Sequence, residues 1–441
     1  MISDKIKKAG IVGAGGAGFP THIKASSKAK ILVANAAECE PLIHKDFELI
    51  LNYADRVVNG MLLMMESISA EKGIIGIKEK NEEAIVALNK VLNKNDKISL
   101  HLLDDIYPAG DEYVLVYECT GKLIPIGGIP LDIGVVVTNI ETLYNISLSN
   151  DDVPVTEKFL SVSGAVKRPL SFFAPIGISF EDVIKVAGDV TVHDFAIFVG
   201  GVMMGELTFD TSKIVTKTTS GLIILPKEHK IVRRKNQLDK DYKRIGKSAC
   251  DQCSYCTELC PRYLLGHHVQ PHKVMRSLVF TKSGEDFWSE FSFSCSSCGL
   301  CTLSSCPEDL FPREICSMSK IKMQNEQKKI EKKFQIKVHP LYKSRQTPIK
   351  RLMKKLDLEK YNTKNPFIKC DYNPVSVVIS LKQGVGGFST PIVDVGQKVV
   401  KGELIAKVPE DKLGANQHSS INGFVKRVNK EFIEIYHSNK Y

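Results

Sequence analysis

No stretch of this sequence approaches the roughly 20 consecutive apolar residues that a membrane-spanning helix needs. Its first residues, MISDKIKKAGIVG, have neither a long apolar core nor a cleavage site, so no signal peptide is expected. A cytoplasmic, reducing location follows, and with it no structural disulfides. No recognised nucleic-acid fold accompanies the basic residues, so nucleic acid is not an expected partner. What remains is an ordinary globular composition, 43% hydrophobic and 25% charged. At 441 residues the chain is too long for one core, and about three domains are expected. The net charge of +10 is uneven: between 320 and 369, 16 Lys/Arg face 4 Asp/Glu. That run reads as a solvated helical linker, or as a surface for an acidic redox partner.

Of 12 cysteines, eight lie in 250–307, which reads CDQCSYCTELCP, a helix-length insert, then CSSCGLCTLSSCP. Two runs of three cysteines at two-residue intervals, each followed by a more distant Cys-Pro, are the sequence form of a two-cluster ferredoxin. Three thiolates so spaced wrap a tight loop around one cubane, with backbone N–H groups aimed at its sulfurs. The fourth Cys of each run ligates the other cluster. One [4Fe–4S] is therefore assigned to Cys250, Cys253, Cys256 and Cys306, and the other to Cys295, Cys298, Cys301 and Cys260. The second run has one residue more than usual before its last Cys, so a wider closing loop is expected there. Structural zinc uses CxxC pairs but seldom two such quartets each ending in Cys-Pro. Tyr255, Tyr263 and Phe293 are expected to shield the cubanes. His267, His268 and His272 read as structural or solvent-facing. Cys39, Cys119, Cys316 and Cys370 read as small buried hydrophobes.

The stretch IVGAGGAGFPTHIK at 11–24 places Gly13, Gly15, Gly16 and Gly18 in one loop leading into a helix. Such a loop lets the backbone approach a ligand closely, and its exposed N–H groups suit a phosphate. A short strand at 31–34 follows and opens into NAAECEP. Asn35, Glu38 and Glu40 then lie at its C-terminal end, where open α/β sheets bind ligands.

These segments, with YPAGDEY at 107–113 and VVVTNIET at 135–142, resemble the flavin site of the NADH-binding subunit of respiratory complex I. They resemble the C subunit of the Rnf electron-transport complex still more. The resemblance implies FMN bound through Gly13, Gly15, Gly16, Lys24, Asn35, Glu38, Gly110, Asp111, Thr138 and Asn139. It also implies NADH as donor, stacked on Phe19, with Glu40 and Glu112 near its ribose and nicotinamide ends. Ala14 and Asp111 depart from the complex I pattern, which has Arg and Glu there. The chemistry agrees: NADH gives a two-electron hydride and clusters accept single electrons, so a flavin must convert one into the other.

The expected fold is multidomain α/β and α+β. Residues 1–150 form a Rossmann-like FMN/NADH-binding domain. Residues 156–226 resemble the soluble ligand-binding β-grasp module of this family, with Met203 and Met204 read as gap-filling core. A two-[4Fe–4S] ferredoxin-like helical domain spans 240–322 and a basic helical linker 323–370, including an RLM helix at 351–362. Residues 371–441 resemble a barrel-sandwich (lipoyl-like) module. Ile421, Asn422 and Gly423 stand where the modified Lys would be, so the module reads as a scaffold. This module order resembles the PduS-type cobalamin reductases of propanediol-utilisation microcompartments. The resemblance implies reduction of cob(III)- and cob(II)alamin to cob(I)alamin, a corrinoid or its adenosyltransferase as partner, a shell protein as a further contact, and a place inside a microcompartment. No DxHxxG motif supplies a lower-axial His. The alternatives are an NADH-recycling electron-transfer flavoprotein with a protein acceptor, and a subunit of an Rnf-like membrane complex.

Overall fold

A computed structural model describes residues 2–92, 96–237, 239–280, 290–328 and 330–437. The first sheet has four parallel strands in the order Ile98–Leu103, Lys72–Lys78, Ile31–Ala36, Val135–Asn139. ILVANA and VVVTN are almost continuously apolar because helices cover both faces, as parallel strands require. The helix Lys45–Ser67 buries Leu49, Val57, Met61 and Met64 on one face and packs along Ile140–Asn150. All four strands point the same way, so Asn35, Lys78 and Asn139 reach one edge of the sheet.

A second, five-stranded sheet has the order Leu170–Pro175, Glu157–Gly164, Gly221–Pro226, Phe195–Val199, Glu206–Thr208. Its central pair, Glu157–Gly164 with Gly221–Pro226, is parallel and its other pairs are antiparallel. The helix Phe180–Val186, capped by Ser179, buries Phe180, Val183 and Ile184 in this sheet's core. Met203 is fully buried, as expected, but Met204 is 49% exposed and lines a cavity instead.

Helices Asp239–Ala249, Pro271–Phe280 and Pro312–Asn325 enclose the two cysteine loops. The expected helical linker over 323–370 is helical only at its ends. Between Pro312–Asn325 and Ile349–Leu356 the described chain runs as an irregular strap along the first domain. Lys333 bridges to Ile126, the Tyr342 hydroxyl donates to Glu118 at 2.7 Å, and Thr347 pairs with Tyr107. Lys343 forms ion pairs with Asp104 and Glu118 at 3.3 and 3.0 Å. The basic charge is therefore partly neutralised by acids of the first domain, which a linear pattern does not reveal. The helix at 349–356 buries Leu352, Met353 and Leu356, as its spacing predicts.

The C-terminal module is two small facing sheets, one of four strands and one of three. It docks on both earlier units. The Val385 N–H donates to the Gly18 carbonyl at 2.9 Å. Lys217, 3% exposed, donates its ammonium to the carbonyls of Gly10 and Asn416 at 2.8 and 2.7 Å. Burial pulls that amine down to about 7.

Candidate functional site

The glycine loop lies over a buried charge network. The Ala14 N–H donates to the Thr142 hydroxyl at 3.0 Å, and its carbonyl accepts from Lys158 at 3.0 Å. Lys158 pairs with Glu141, which also accepts from Lys45 at 3.0 Å; Lys45 in turn holds Asp46 at 2.5 Å. The loop's backbone is thereby fixed while Gly15 and Gly16 stay exposed. Gly16, at φ +108°, has nothing within 4 Å of where a Cβ would sit. It opens on a cavity of about 890 Å³ between this loop and the second sheet. That is the size range of a cofactor pocket.

Gly15, Gly16 and Glu40 line this cavity, and Met204 and Thr218 face them from the second unit. Glu40 and Glu38 also line a neighbouring cavity of about 230 Å³ with Lys78. The other expected residues gather at the sheet's C-terminal edge, where several are already engaged. The Asn35 amide donates to the Gly110 carbonyl at 3.0 Å. The Glu38 carboxylate accepts from the N–H groups of Asp46 and Phe47 at 2.7 and 3.2 Å, and burial followed by the charge of Asp46 pushes it up to about 8. Asn139 caps the helix Ile140–Asn150 and donates to Asp46 at 2.8 Å. The Lys24 ammonium reaches the Val137 carbonyl at 2.9 Å; burial lowers its pKa and Glu112 opposes that. Glu112 is itself raised by burial. Gly13 and Phe19 close the glycine loop through the Gly13 N–H bonded to the Phe19 carbonyl at 2.9 Å. Thr138 is 5% exposed, and its hydroxyl has no partner. A buried orphan hydroxyl beside an open glycine loop fits a polar ligand such as FMN.

Asp111 is not free for a ligand. It caps the helix Glu112–Thr120 through the N–H groups of Tyr113 and Val114. It also holds the Arg262 guanidinium at 2.9 Å. Arg262, Tyr107, Lys158 and Lys217 all shape this region. Sequence reasoning passed over them because single Arg, Tyr and Lys residues carry no spacing signal.

The eight cysteines group as their spacing predicts. In the first loop Gln252 and Ser254 take left-handed φ of +63° and +64°; in the second, Ser297 and Gly299 take +56° and +82° at the same positions. This turns backbone N–H groups inward: those of Gln252, Tyr255, Ser297 and Leu300 reach Cys250, Cys253, Cys295 and Cys298. Burial raises Cys256, and the charges of Cys250, Cys306 and Cys253 raise it further. Burial likewise pushes Cys298 up to about 12, with Cys295 adding to it, and Cys260 senses Cys298 and Cys295. Thiols crowded in this way hold their charge only around a cationic core, which suits iron–sulfur clusters. Among the described residues no three His, Cys, Asp or Glu converge on a single-ion site. A cubane spaces its thiolates more widely than one ion does, so this finding disfavours zinc there and leaves clusters a fit.

The longer second run closes through a π-helical turn, Cys301–Ser305, with the Cys306 N–H bonded to the Cys301 carbonyl at 3.1 Å. Tyr255 is 51% exposed, so it does not shield the first loop as expected, whereas Tyr263 and Phe293 are half-buried. His267 is buried against Tyr113 at 4.8 Å, His268 is exposed, and His272 bonds Thr257 at 2.6 Å. Of the remaining cysteines only Cys316 is fully buried; Cys39, Cys119 and Cys370 are half-buried.

Three family models match in chain order: the Nuo51 FMN-binding domain over 6–148, a 4Fe–4S dicluster domain over 249–311, and the RnfC barrel sandwich hybrid domain over 354–440. This combination defines a flavin and iron–sulfur electron-transfer protein. The chain is 37% identical over 438 residues to cobalamin reductase PduS of Citrobacter freundii, covering 98% of this chain and 96% of that one. It is 37% identical over 435 residues to the PduS of Salmonella typhimurium, with the same coverage. The chain belongs to the cobalamin reductase PduS family. The RnfC-type component of the Na(+)-translocating ferredoxin:NAD(+) oxidoreductase complex of Acetobacterium woodii is 36% identical over 60% of this chain and 59% of its own length. The fold is shared with a chain of the NAD+-reducing [NiFe]-hydrogenase in its air-oxidised state, at 18% identity and TM-score 0.50, over 85% of this chain and 64% of that one.

Proposed function

We propose that this chain is an NADH-dependent cobalamin reductase that takes cob(III)- and cob(II)alamin to cob(I)alamin. NADH loses a hydride and yields NAD+; the two electrons leave one at a time, each reducing cobalt by one unit. FMN, when bound, supplies the conversion from hydride to single electrons. The chain's own part is to hold that flavin at the glycine loop, with Gly13, Gly15, Gly16, Lys24, Asn35, Glu38, Gly110, Thr138 and Asn139 around it, and to place NADH by Phe19, Glu40 and Glu112. Asp111 acts through the cap and through Arg262.

The observation that carries this reading is the near-full-length relationship to PduS, combined with a glycine loop and two cysteine quartets in one chain. The parallel sheet with ligand residues at one edge supports a Rossmann-like first domain. The second sheet, numbered within itself, runs 2-1-5-3-4 with a parallel central pair, which supports a β-grasp. The helices around the quartets support a ferredoxin-like unit. We read the domains as 1–150, 156–226, 240–322 and 371–441, joined by the 323–370 strap. No helix among the described residues is long and apolar enough to cross a membrane. A cytoplasmic place within a microcompartment, with a shell protein and a corrinoid adenosyltransferase as contacts, follows from the PduS relationship.

Purified protein with NADH and hydroxocobalamin under anoxic conditions tests the reading. The corrin spectrum should pass through the cob(II) form. Reduction of methyl viologen with no corrin change would leave an electron-transfer flavoprotein serving another acceptor.

A further inference from the structure

Two clusters in one protein can be wired to a flavin in either order, and the contacts of this chain favour one order. The Tyr107 hydroxyl, on a side chain 1% exposed, donates to the Cys298 carbonyl at 2.6 Å. Arg262 grips Asp111 at 2.9 Å with one arm and donates to the Ser294 carbonyl at 3.1 Å with another, its guanidinium 3.7 Å from the Tyr113 ring centre. Tyr107, Asp111 and Tyr113 belong to the same 107–113 loop at the sheet edge. A third link comes from Glu40, which lines the large cavity and accepts from the Met203 and Met204 N–H groups at 3.0 and 2.8 Å. The Met203 carbonyl in turn lies against Gly299, 3.1 Å from where a Cβ would sit.

All three links end on the loop that carries Cys295, Cys298 and Cys301. Among the described residues, no hydrogen bond or ion pair from 107–113 or from Glu40 reaches 250–256. Burial follows the same division. Cys295, Cys298 and Cys301 are buried, whereas Cys250, Cys253 and Cys306 are half-buried beside the exposed Tyr255.

We infer that the cluster on Cys295, Cys298, Cys301 and Cys260 is proximal, receiving electrons from the flavin, and that the cluster on Cys250, Cys253, Cys256 and Cys306 is distal and delivers them. Tyr107 and Arg262 are positioning residues that clamp the proximal loop to the flavin loop. The inference rests on the proposed function. Each NADH becomes NAD+ with release of a proton, and its two electrons pass singly through the proximal and then the distal cluster to a one-electron acceptor.

The test uses full-length protein loaded anoxically with FMN and iron. Rapid-freeze EPR follows NADH-driven reduction of the surviving cluster in Cys253→Ser and in Cys298→Ser, with Cys295→Ser as an independent removal of the proximal cluster. Reduction should be at least tenfold slower when the proximal ligand is replaced, because the electron must then cross the gap directly. Equal rates, or a slower Cys253→Ser, overturn the order. Arg262→Gln supplies a readout that a purely structural role would not move. A redox titration should show one cluster harder to reduce, and it should be the cluster missing from Cys298→Ser. A shift confined to the other cluster overturns the assignment. Wild-type protein that holds no flavin, or only about four irons, sinks the proposed function itself; a full cofactor load with reversed rates sinks only the order.

Discussion

The two cysteine loops share a backbone and differ in almost everything around it. Both place left-handed residues at the same two positions, and both aim N–H groups at their first two cysteines. Yet the second position is Ser254 in one loop and Gly299 in the other. Ser254 is half-buried, whereas a side chain at 299 would press on the Met203 carbonyl. The closures differ too: an α turn, Tyr255–Glu258, leads to Cys260, and a π turn absorbs the extra residue before Cys306. Conformation at such a loop is dictated by the metal cluster it must hold. Sequence outside the ligands is dictated by what the loop touches.

The largest test of this contrast removes a buried ligand. Cys301→Ser should lower iron from about eight to about four per chain and slow corrin reduction ~100-fold or more. Colorimetric iron and the hydroxocobalamin spectrum read it, and iron still near eight would break the grouping of the quartets. Next is Gly299→Ser, which combines a crowded contact with a left-handed backbone. It should cost about 2–4 kcal/mol by denaturant midpoint. Tyr107→Phe leaves the Cys298 carbonyl without its donor and should cost about 1–2 kcal/mol in the same assay. The smallest effect belongs to the other loop: Ser254→Gly relieves a left-handed strain and should be neutral or stabilising by up to about 1 kcal/mol. If Ser254→Gly and Gly299→Ser shifted stability alike, the two loops would not differ in surroundings as described.

The cysteine quartets were legible in the sequence because two-residue spacing is the geometry of the cluster loop. The strand ends bearing Asn35 and Asn139 were legible because apolar runs break there into polar residues. The strap was not, since a basic run looks the same whether its charges face water or, as Lys343 does, Glu118 and Asp104. Met204 escaped because adjacent methionines on an irregular loop carry no period that tells inside from outside. Arg262 sits two residues after Cys260 and reads as part of the cluster loop, while its partner Asp111 is distant in sequence. Asp111 itself was expected at the flavin, and only the three-dimensional contact shows its carboxylate committed elsewhere.

The brace between Gly18 and Val385 bears on how the protein is made. The ribosome delivers the glycine loop almost first and its brace almost last. The loop must therefore wait, unsupported on that side, for nearly the whole chain to emerge. Flavin loading should then follow completion of synthesis, and a chain stalled before residue 384 should emerge colourless.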